Sequence, residues 1–325
     1  MSSSAAAIQA FWSWWSTARP RIEQAVTTGP DPELIDEIST HVNAIDGRLA
    51  WELGAGQRSR HYLCLTPEGN PELRPLTERW VRAAPPPDAV WEYHPARPAS
   101  LGALHATLEL EGRRLDPGQA RLHLAVDEDR QVIDVGVHHP AMRKLRERAR
   151  GTLAFLLLDW LLGEDGVERW VGAIEVHVKE PKGTVAAEAL PEIVQALAER
   201  HPEPTWALLQ GVDDGGRPML VVTRRPLKRI DWPSFDLHGR LTVARTGTDR
   251  DPDTRDLVEQ LEDLLGAHAV LAARETHHDH QSHHLYCDGD GPVPDLVESW
   301  RSAQRLPMTV VWERDPAWTA VRQFQ

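Results

Sequence analysis

Cysteine is nearly absent from this chain of 325 residues. Its two copies, Cys64 and Cys287, exclude a disulfide framework. No apolar run approaches the roughly eighteen residues that would cross a bilayer. The opening stretch "MSSSAAAIQAFWSWW" has no basic segment ahead of its apolar part, so it makes a poor signal peptide. Residence in the cytoplasm, with no membrane contact, is the expectation. Positive charge is scarce too: 36 Lys and Arg face 49 Asp and Glu, for a net charge of −13 and a pI near 5.6. Such a balance makes nucleic acid an unlikely partner. Arginine greatly outnumbers lysine, the bias of a G+C-rich genome rather than of guanidinium chemistry. No glycine-rich phosphate loop, G-x-S-x-G elbow or H-E-x-x-H pair occurs, and "DGDG" at 288–291 lacks the glutamate that completes a calcium loop. No cofactor is implied.

Globular values stand against these absences: 41% hydrophobic and 26% charged residues, in a chain long enough for two domains. The chain also resembles itself. Leu34 lies 30 residues before Cys64, and Leu257 lies 30 before Cys287. Each cysteine closes a similar tetrad, His61-Tyr-Leu-Cys64 and His284-Leu-Tyr-Cys287. Leu-x-Glu-x-Trp follows in both, at Leu76, Glu78 and Trp80 and again at Leu296, Glu298 and Trp300. Each segment closes on a Trp-Glu strand, "VWEYHPA" at 90–96 and "VWERDPA" at 311–317. Five shared motifs in one order define a divergent internal repeat. Leu34, Ile35, Ile38 and Val42 recur at helical spacing, as do Leu257, Leu261, Leu264 and Leu265. The order is helix, strand, strand, helix, strand. One strand in front would make each copy the split β-α-β unit of a ferredoxin-like sandwich. "LHGRLTVART" at 237–246 supplies that strand in the second copy; in the first, residues 8–26 read as a Trp-rich helix instead.

The segment between the copies has its own pattern. "LHATLELEG", "ARLHLAVDED" and "QVIDVGVHH" read as a three-stranded meander, and a long helix with a strand after it follows. This segment is expected to finish the sheet of the first copy. Residues 178–192 have the composition of a linker, and a helix over about 190–200 leads to two strands around "DDGG". The expected fold is therefore α+β, with two ferredoxin-like lobes. An N-terminal domain spans 1–185, with its repeat copy at about 30–98 and the meander and long helix at 99–178. A C-terminal domain spans 186–325, with its copy at about 237–318.

In the second half, about 204–325, "LEDLL" in the first helix, the hairpin ending at Tyr286 and the terminal "WERDPAW" form a pattern that resembles the bacterial domain of unknown function 695. "FWSWW", "HPAM" at 139–142 and "LLLDWLLGEDGVERWVGAIE" at 156–175 are similar to the domain often found before it. That family carries no established activity, so the resemblance implies a fold and no chemistry.

Five histidines and a cysteine crowd "RETHHDHQSHHLYCDGDG" at 274–291. Read as a hairpin, this stretch places His278 and His283 opposite each other at its mouth, close enough for one ion, with His280 as a third ligand. Cys287 lies four residues beyond His283, about 13 Å at strand rise, too far to share that ion. The matching hairpin of the first copy has only His61. An exposed turn is thus the favoured reading, and His278, His280 and His283 are weak metal candidates. Cys64 and Cys287 read as matching buried strand positions. Asp159, Glu164, Asp165, Glu168 and Glu175 offer paired carboxylates, although Glu164 and Asp165 fit a "GEDG" turn better. Two stretches qualify as an interaction surface: Trp12 and Trp14 of the aromatic helix, and Arg224, Arg225, Lys228 and Arg229 of "TRRPLKR". For the first, docking of the helix on its own sheet is the competing reading; for the second, a solvated loop.

Together these features indicate a non-catalytic protein that binds or regulates another protein, one that presents a basic patch to an acidic chain. The alternative is a metal-dependent hydrolase or other enzyme built on the 274–291 hairpin.

Overall fold

A computed structural model describes residues 3–29, 31–213, 215–245 and 255–324. Helices and open sheets mix in an α+β arrangement, and the chain divides into two compact units, Met1–Glu199 and Arg200–Gln325. Residues 246–254 of the expected second copy lie outside the described residues.

The first unit opens with α1 (Ser3–Thr28), whose Phe11, Trp15 and Ile22 recur on one face and are fully buried. Next is α2 (Pro32–Ile45), started by Asp31, whose carboxylate accepts the Glu33 N–H, with Pro32 in the first turn. It buries Leu34, Ile38, Val42 and Ile45. The hairpin of β1 (Ala50–Ala55) and β2 (His61–Thr66) leads through α3 (Arg74–Arg82) to β3 (Trp91–His94), which pairs with β2 in parallel. Strand alternation sorts the side chains of this three-stranded sheet. Trp51, Leu53, Leu63, Leu65, Trp91 and Tyr93 pack with the three helices. The other face presents Glu52, Tyr62, Cys64, Thr66, Glu92 and His94.

The middle segment builds a separate sheet, contrary to the sequence expectation. Its first apolar run does not join a meander. It forms a two-stranded ribbon, β4 (Leu108–Leu110) with β5 (Arg113–Leu115), because Glu111 and Gly112 both take positive φ, 50° and 69°, and turn the chain back at once. The hairpin of β6 (Arg121–Asp127) and β7 (Val132–His138) is followed by α4 (Glu147–Trp170) and β8 (Val171–His177). With the short β9 (Val185–Ala186) they make a four-stranded sheet in the order β8-β7-β6-β9. The expected linker therefore holds a sheet edge and buried Ala187. The helix after it, α5 (Leu190–Arg200), buries Leu190, Val194 and Leu197 in the same core.

The second unit is one six-stranded sheet in the order β10-β11-β13-β14-β12-β15, with every neighbouring pair antiparallel. Its strands are β10 (Thr205–Val212), β11 (Pro218–Arg225), β12 (Leu237–Ala244), β13 (Ala269–Thr276), β14 (His280–Cys287) and β15 (Met308–Arg314). Helices α6 (Arg255–Leu265) and α7 (Val293–Ala303) cover one face, burying Leu257, Leu261, Val293 and Val297 against Leu241, Val243, Leu285 and Cys287. The other face carries Val221, Val270 and Tyr286, closed by Trp318, Val321 and Phe324 of the C-terminal segment.

The order helix, strand, strand, helix, strand occurs in both units, at α2 to β3 and at α6 to β15. Trp80 and Trp300 lie on the second helix of each, and Trp91 and Trp312 on the last strand. Two differences matter. In the second unit β12 lies between β14 and β15; in the first no strand intervenes, so β2 and β3 pair directly. The tetrads are also out of phase. Cys287 faces α6 and α7, whereas Cys64 faces away from α2 and α3, because Leu63 and Leu65 take the helix side. A one-residue slip reverses every side chain of a strand, so the two cysteines are not matching positions after all.

Candidate functional site

The histidine hairpin does not gather its imidazoles at a mouth. Its tip is two residues long, His278 and Asp279, with the His277 N–H donating to the His280 carbonyl. The tight tip fixes the register, so His283 lies opposite Arg274 and not opposite His278. His278 is exposed, His280 is half-buried with Nδ1 2.8 Å from Asp279, and His283 is fully buried on the helix-covered face. Among the described residues no group of three or more His, Cys, Asp or Glu is placed to hold a metal ion. An exposed turn is true of His278 alone.

His284 points to the opposite face and joins a chain of polar groups there. A bulge at Ala272 shifts β13 by one residue and turns Glu275 to the same face as His284. Tyr286 donates to Asp315 at 2.7 Å, and Asp315 also accepts the N–H groups of Thr319 and Ala320. His238 stacks on His284, with Nε2 3.0 Å from its Nδ1. One proton serves that contact, so one ring donates and the other accepts. His284 Nε2 lies 3.4 Å from Glu275, whose second oxygen is 3.0 Å from His277. Burial, reinforced by His284, lowers the His238 pKa to about 4, leaving it neutral at neutral pH. The His284 and His277 contacts outweigh burial at Glu275 and bring its pKa down to about 2. Phe324 packs edge-on against His284, so the C-terminal segment closes over the chain. No sequence signal marks His238 as a site residue; Glu275 lies in the histidine-rich stretch 274–291 and Asp315 in the "DPAW" that follows the last strand, and neither stands out there as a partner of the histidines.

A second polar cluster lies on the helix-free face of the first unit's sheet. Gly163 breaks α4 with φ 73° and ψ 163°, which redirects Glu164 inward and aims Asp165, still part-exposed, at Arg74. Glu164 accepts from the Thr66 hydroxyl, the Arg97 N–H and the Arg97 guanidinium. Asp165 holds buried Arg74 through two oxygens at 2.9 and 2.8 Å. Burial, with Glu164 nearby, raises Asp159 to about 6, and burial pushes the Cys64 thiol up. Both cysteines are therefore thiols at neutral pH: Cys287 is raised to about 12, chiefly by burial. Glu168 and Glu175 are not part of these contacts.

The two expected interaction surfaces are largely absorbed by the fold. Trp12 is buried, stacks on Trp80 at 4.6 Å and donates to its carbonyl. Trp14 is half-buried against His41 and donates to Glu37. Docking of the helix on its own domain therefore accounts for both. The basic run is not a solvated loop either. Arg224 and Arg225 end β11, Arg224 lies over the Trp232 ring at 5.0 Å, Lys228 is half-buried, and Arg229 is buried.

The outward sides of α6 and α7 remain exposed. Burial of Leu257, Leu261 and Leu265 on one side of α6 leaves Glu259, Glu262 and Asp263 on the other, and α7 adds Asp295 and Glu298. Arg301 is engaged with Glu298. Among the described residues no helix is long and apolar enough to cross a membrane. No family model, curated protein or solved structure matches this chain.

Proposed function

We propose that this is a non-catalytic binding protein whose acidic α6–α7 surface receives a basic patch on another protein. The observation that carries the reading is the row of exposed carboxylates, Glu259, Glu262, Asp263 and Asp295, on two neighbouring helices of a chain with net charge −13. Such a surface accelerates encounter with a cationic partner and repels nucleic acid; its attraction is screened within about 8 Å at physiological salt. Burial of His238, His283 and His284 supports a packing role for the hairpin over a hydrolytic one. The strand order β13-β14-β12-β15 with two helices on one face supports reading this part as a split β-α-β unit. On that reading α2 to β3 is its divergent copy without the leading strand, and the second unit is a relative of the domain of unknown function 695.

The test is titration with a labelled oligolysine peptide at several salt concentrations. Binding should weaken at least about tenfold in the E259Q/E262Q/D263N variant and much less in the equally charged control E188Q/E192Q/E199Q on the first unit. Equal weakening in both would reduce the effect to bulk charge and refute the reading. So would salt-sensitive binding of single- or double-stranded nucleic acid that is lost on neutralising Arg224, Arg225 and Lys228.

A further inference from the structure

Among the described residues the two edges of the six-stranded sheet have no further strand beside them, and they differ in character. At the β15 side, Pro307 and Arg305 precede the strand and Glu313 and Arg314 end it, the devices by which edge strands resist pairing. At the other side β10, "TWALLQGV", has no charge, no proline and no bulge over eight residues of regular pairing with β11. Apart from Gln210 its exposed face is apolar: Trp206, Leu208 and Val212 are 49%, 61% and 68% exposed, and Leu220 of β11 adds 42%. We propose that β10 is the interface with a second copy of this chain, paired antiparallel across a two-fold axis at Leu209.

The hydrogen-bond pattern supports that register. The Asp213 N–H donates to the Arg217 carbonyl at 2.8 Å, so 213 and 217 form a bonded pair of the β10–β11 ladder. Bonded pairs alternate in an antiparallel ladder, so 205, 207, 209 and 211 also direct their backbone groups to β11. Trp206, Leu208, Gln210 and Val212 therefore present theirs to the open edge. An axis at Leu209 sets Trp206 opposite Val212 and Leu208 opposite Gln210. All four outward residues are then used, with about eight backbone bonds across the interface. An axis at Leu208 would set Val212 against Pro204, which has no N–H to give. The chosen register also places Trp206 and Val212, both strongly exposed, against one another on one face.

Charge agrees with the antiparallel sense. Arg225 pairs with Thr205 at one end of β10, and Asp213 follows its other end. Antiparallel pairing brings the Asp213–Arg217 ion pair of one copy toward the Arg225 end of the other; in-register parallel pairing would bring Asp213 onto Asp213 and Arg217 onto Arg217. Because the interface is isologous, it closes at two copies and leaves the charged β15 edges outside.

Sedimentation of the full chain over a concentration series tests the proposal. A monomer–dimer equilibrium is expected. Leu208→Pro removes an outward N–H from each copy without touching the β11 ladder and should weaken the dimer about tenfold or more. Leu208→Lys, which leaves the backbone intact, should weaken it similarly if the proline variant does not fold. Leu209→Cys supplies the geometric readout. Directly opposed residues of a non-bonded antiparallel pair have Cα atoms about 4.5 Å apart, within disulfide range, so mild oxidation should yield a covalent dimer. Cys64 and Cys287 are buried and do not compete. A monomer at high micromolar concentration would overturn the proposal. So would a dimer indifferent to Leu208→Lys and not cross-linked through Leu209→Cys, or open-ended assemblies, which would indicate β10 docking on β15. Oligolysine binding by a protein that stays monomeric would retain the acidic-surface reading and remove this one.

Discussion

The helix-free faces of the two sheets present the same problem and answer it with different chemistry. In the first unit the polar face of β1–β3 is closed by guanidinium and carboxylate: Arg97 reaches Glu52, Glu68 and Glu164, and Arg74 reaches Asp165 and Glu78. In the second unit the polar groups on the face of β12–β14, beneath Trp318, Val321 and Phe324, are imidazole and carboxylate, from His238 through His284 to Glu275 and His277. Arginine keeps its charge at every physiological pH, whereas histidine changes its own near neutrality. The two units should therefore differ in what breaks them and in the pH at which they break.

Among single substitutions, removing a charge from the first network has the largest expected effect. Glu164→Ala leaves Arg97 and the Thr66 hydroxyl without their main acceptor in a buried setting. It should cost the first unit about 3 kcal/mol, read as lost hydrogen-exchange protection there and not in the second unit. Loss of protection in neither unit would mean that water replaces Glu164 at no cost.

Acidification separates the units next. His238 and His283 have folded pKa values near 4, below the ordinary 6.5, both chiefly through burial. The unfolded chain binds more protons between those limits, so the stability they contribute is complete above pH 6.5 and is lost as pH falls toward 4. Asp159 has the opposite sign. Its folded pKa near 6 exceeds the ordinary 3.8, so its contribution is present at low pH and is lost as pH rises through about 6. Between pH 7 and 5 the second unit should lose on the order of 4 kcal/mol, about 2 from each histidine, while the Asp159 contribution moves the first unit the other way. Unit-resolved exchange at the two pH values checks this, and Asp159→Asn should flatten the response of the first unit only. Parallel losses in both units would contradict it.

A smaller, stabilising effect should come from His283→Leu. Both ring nitrogens of His283 are buried without a hydrogen-bond partner among the described residues, between Leu241 and Leu285 and opposite Arg274. Exchanging that imidazole for a hydrocarbon of similar size should gain about 1 kcal/mol, seen as a rise in denaturation midpoint. His278→Ala, at the exposed tip of the same hairpin, should change stability by less than about 0.5 kcal/mol. The contrast between two histidines five residues apart separates a core position from a surface one.

Much of the fold is legible in the chain itself. Helical spacing at Leu34, Ile38 and Val42 places α2, and "LHGRLTVART" places β12. Local order fails where a long-range contact overrides the local signal. "LHATLELEG" alternates as a strand should, but a two-residue turn ends it. The 178–192 stretch reads as linker although two of its residues, Val185 and Ala186, complete a sheet. "GEDG" has turn composition, yet the break at Gly163 carries Glu164 into a buried network.

Composition and periodicity alone determined the α+β class, the acidic charge and the order of elements from α2 to β3 and from β12 to β15, because those depend on neighbours within a turn or two of chain. Only the tertiary structure decided which face of a strand each residue occupies. Face is set by register, and register by a two-residue hairpin tip, by the bulge at Ala272 and by whether a strand inserts between β14 and β15. A shift of one position puts Cys64 on the opposite face from Cys287 and separates His283 from His284, although sequence similarity aligns the first pair and adjacency unites the second. The physical reason is that side chains alternate with period two, so a one-residue difference in pairing exchanges core for surface and a ligand set for a packing position.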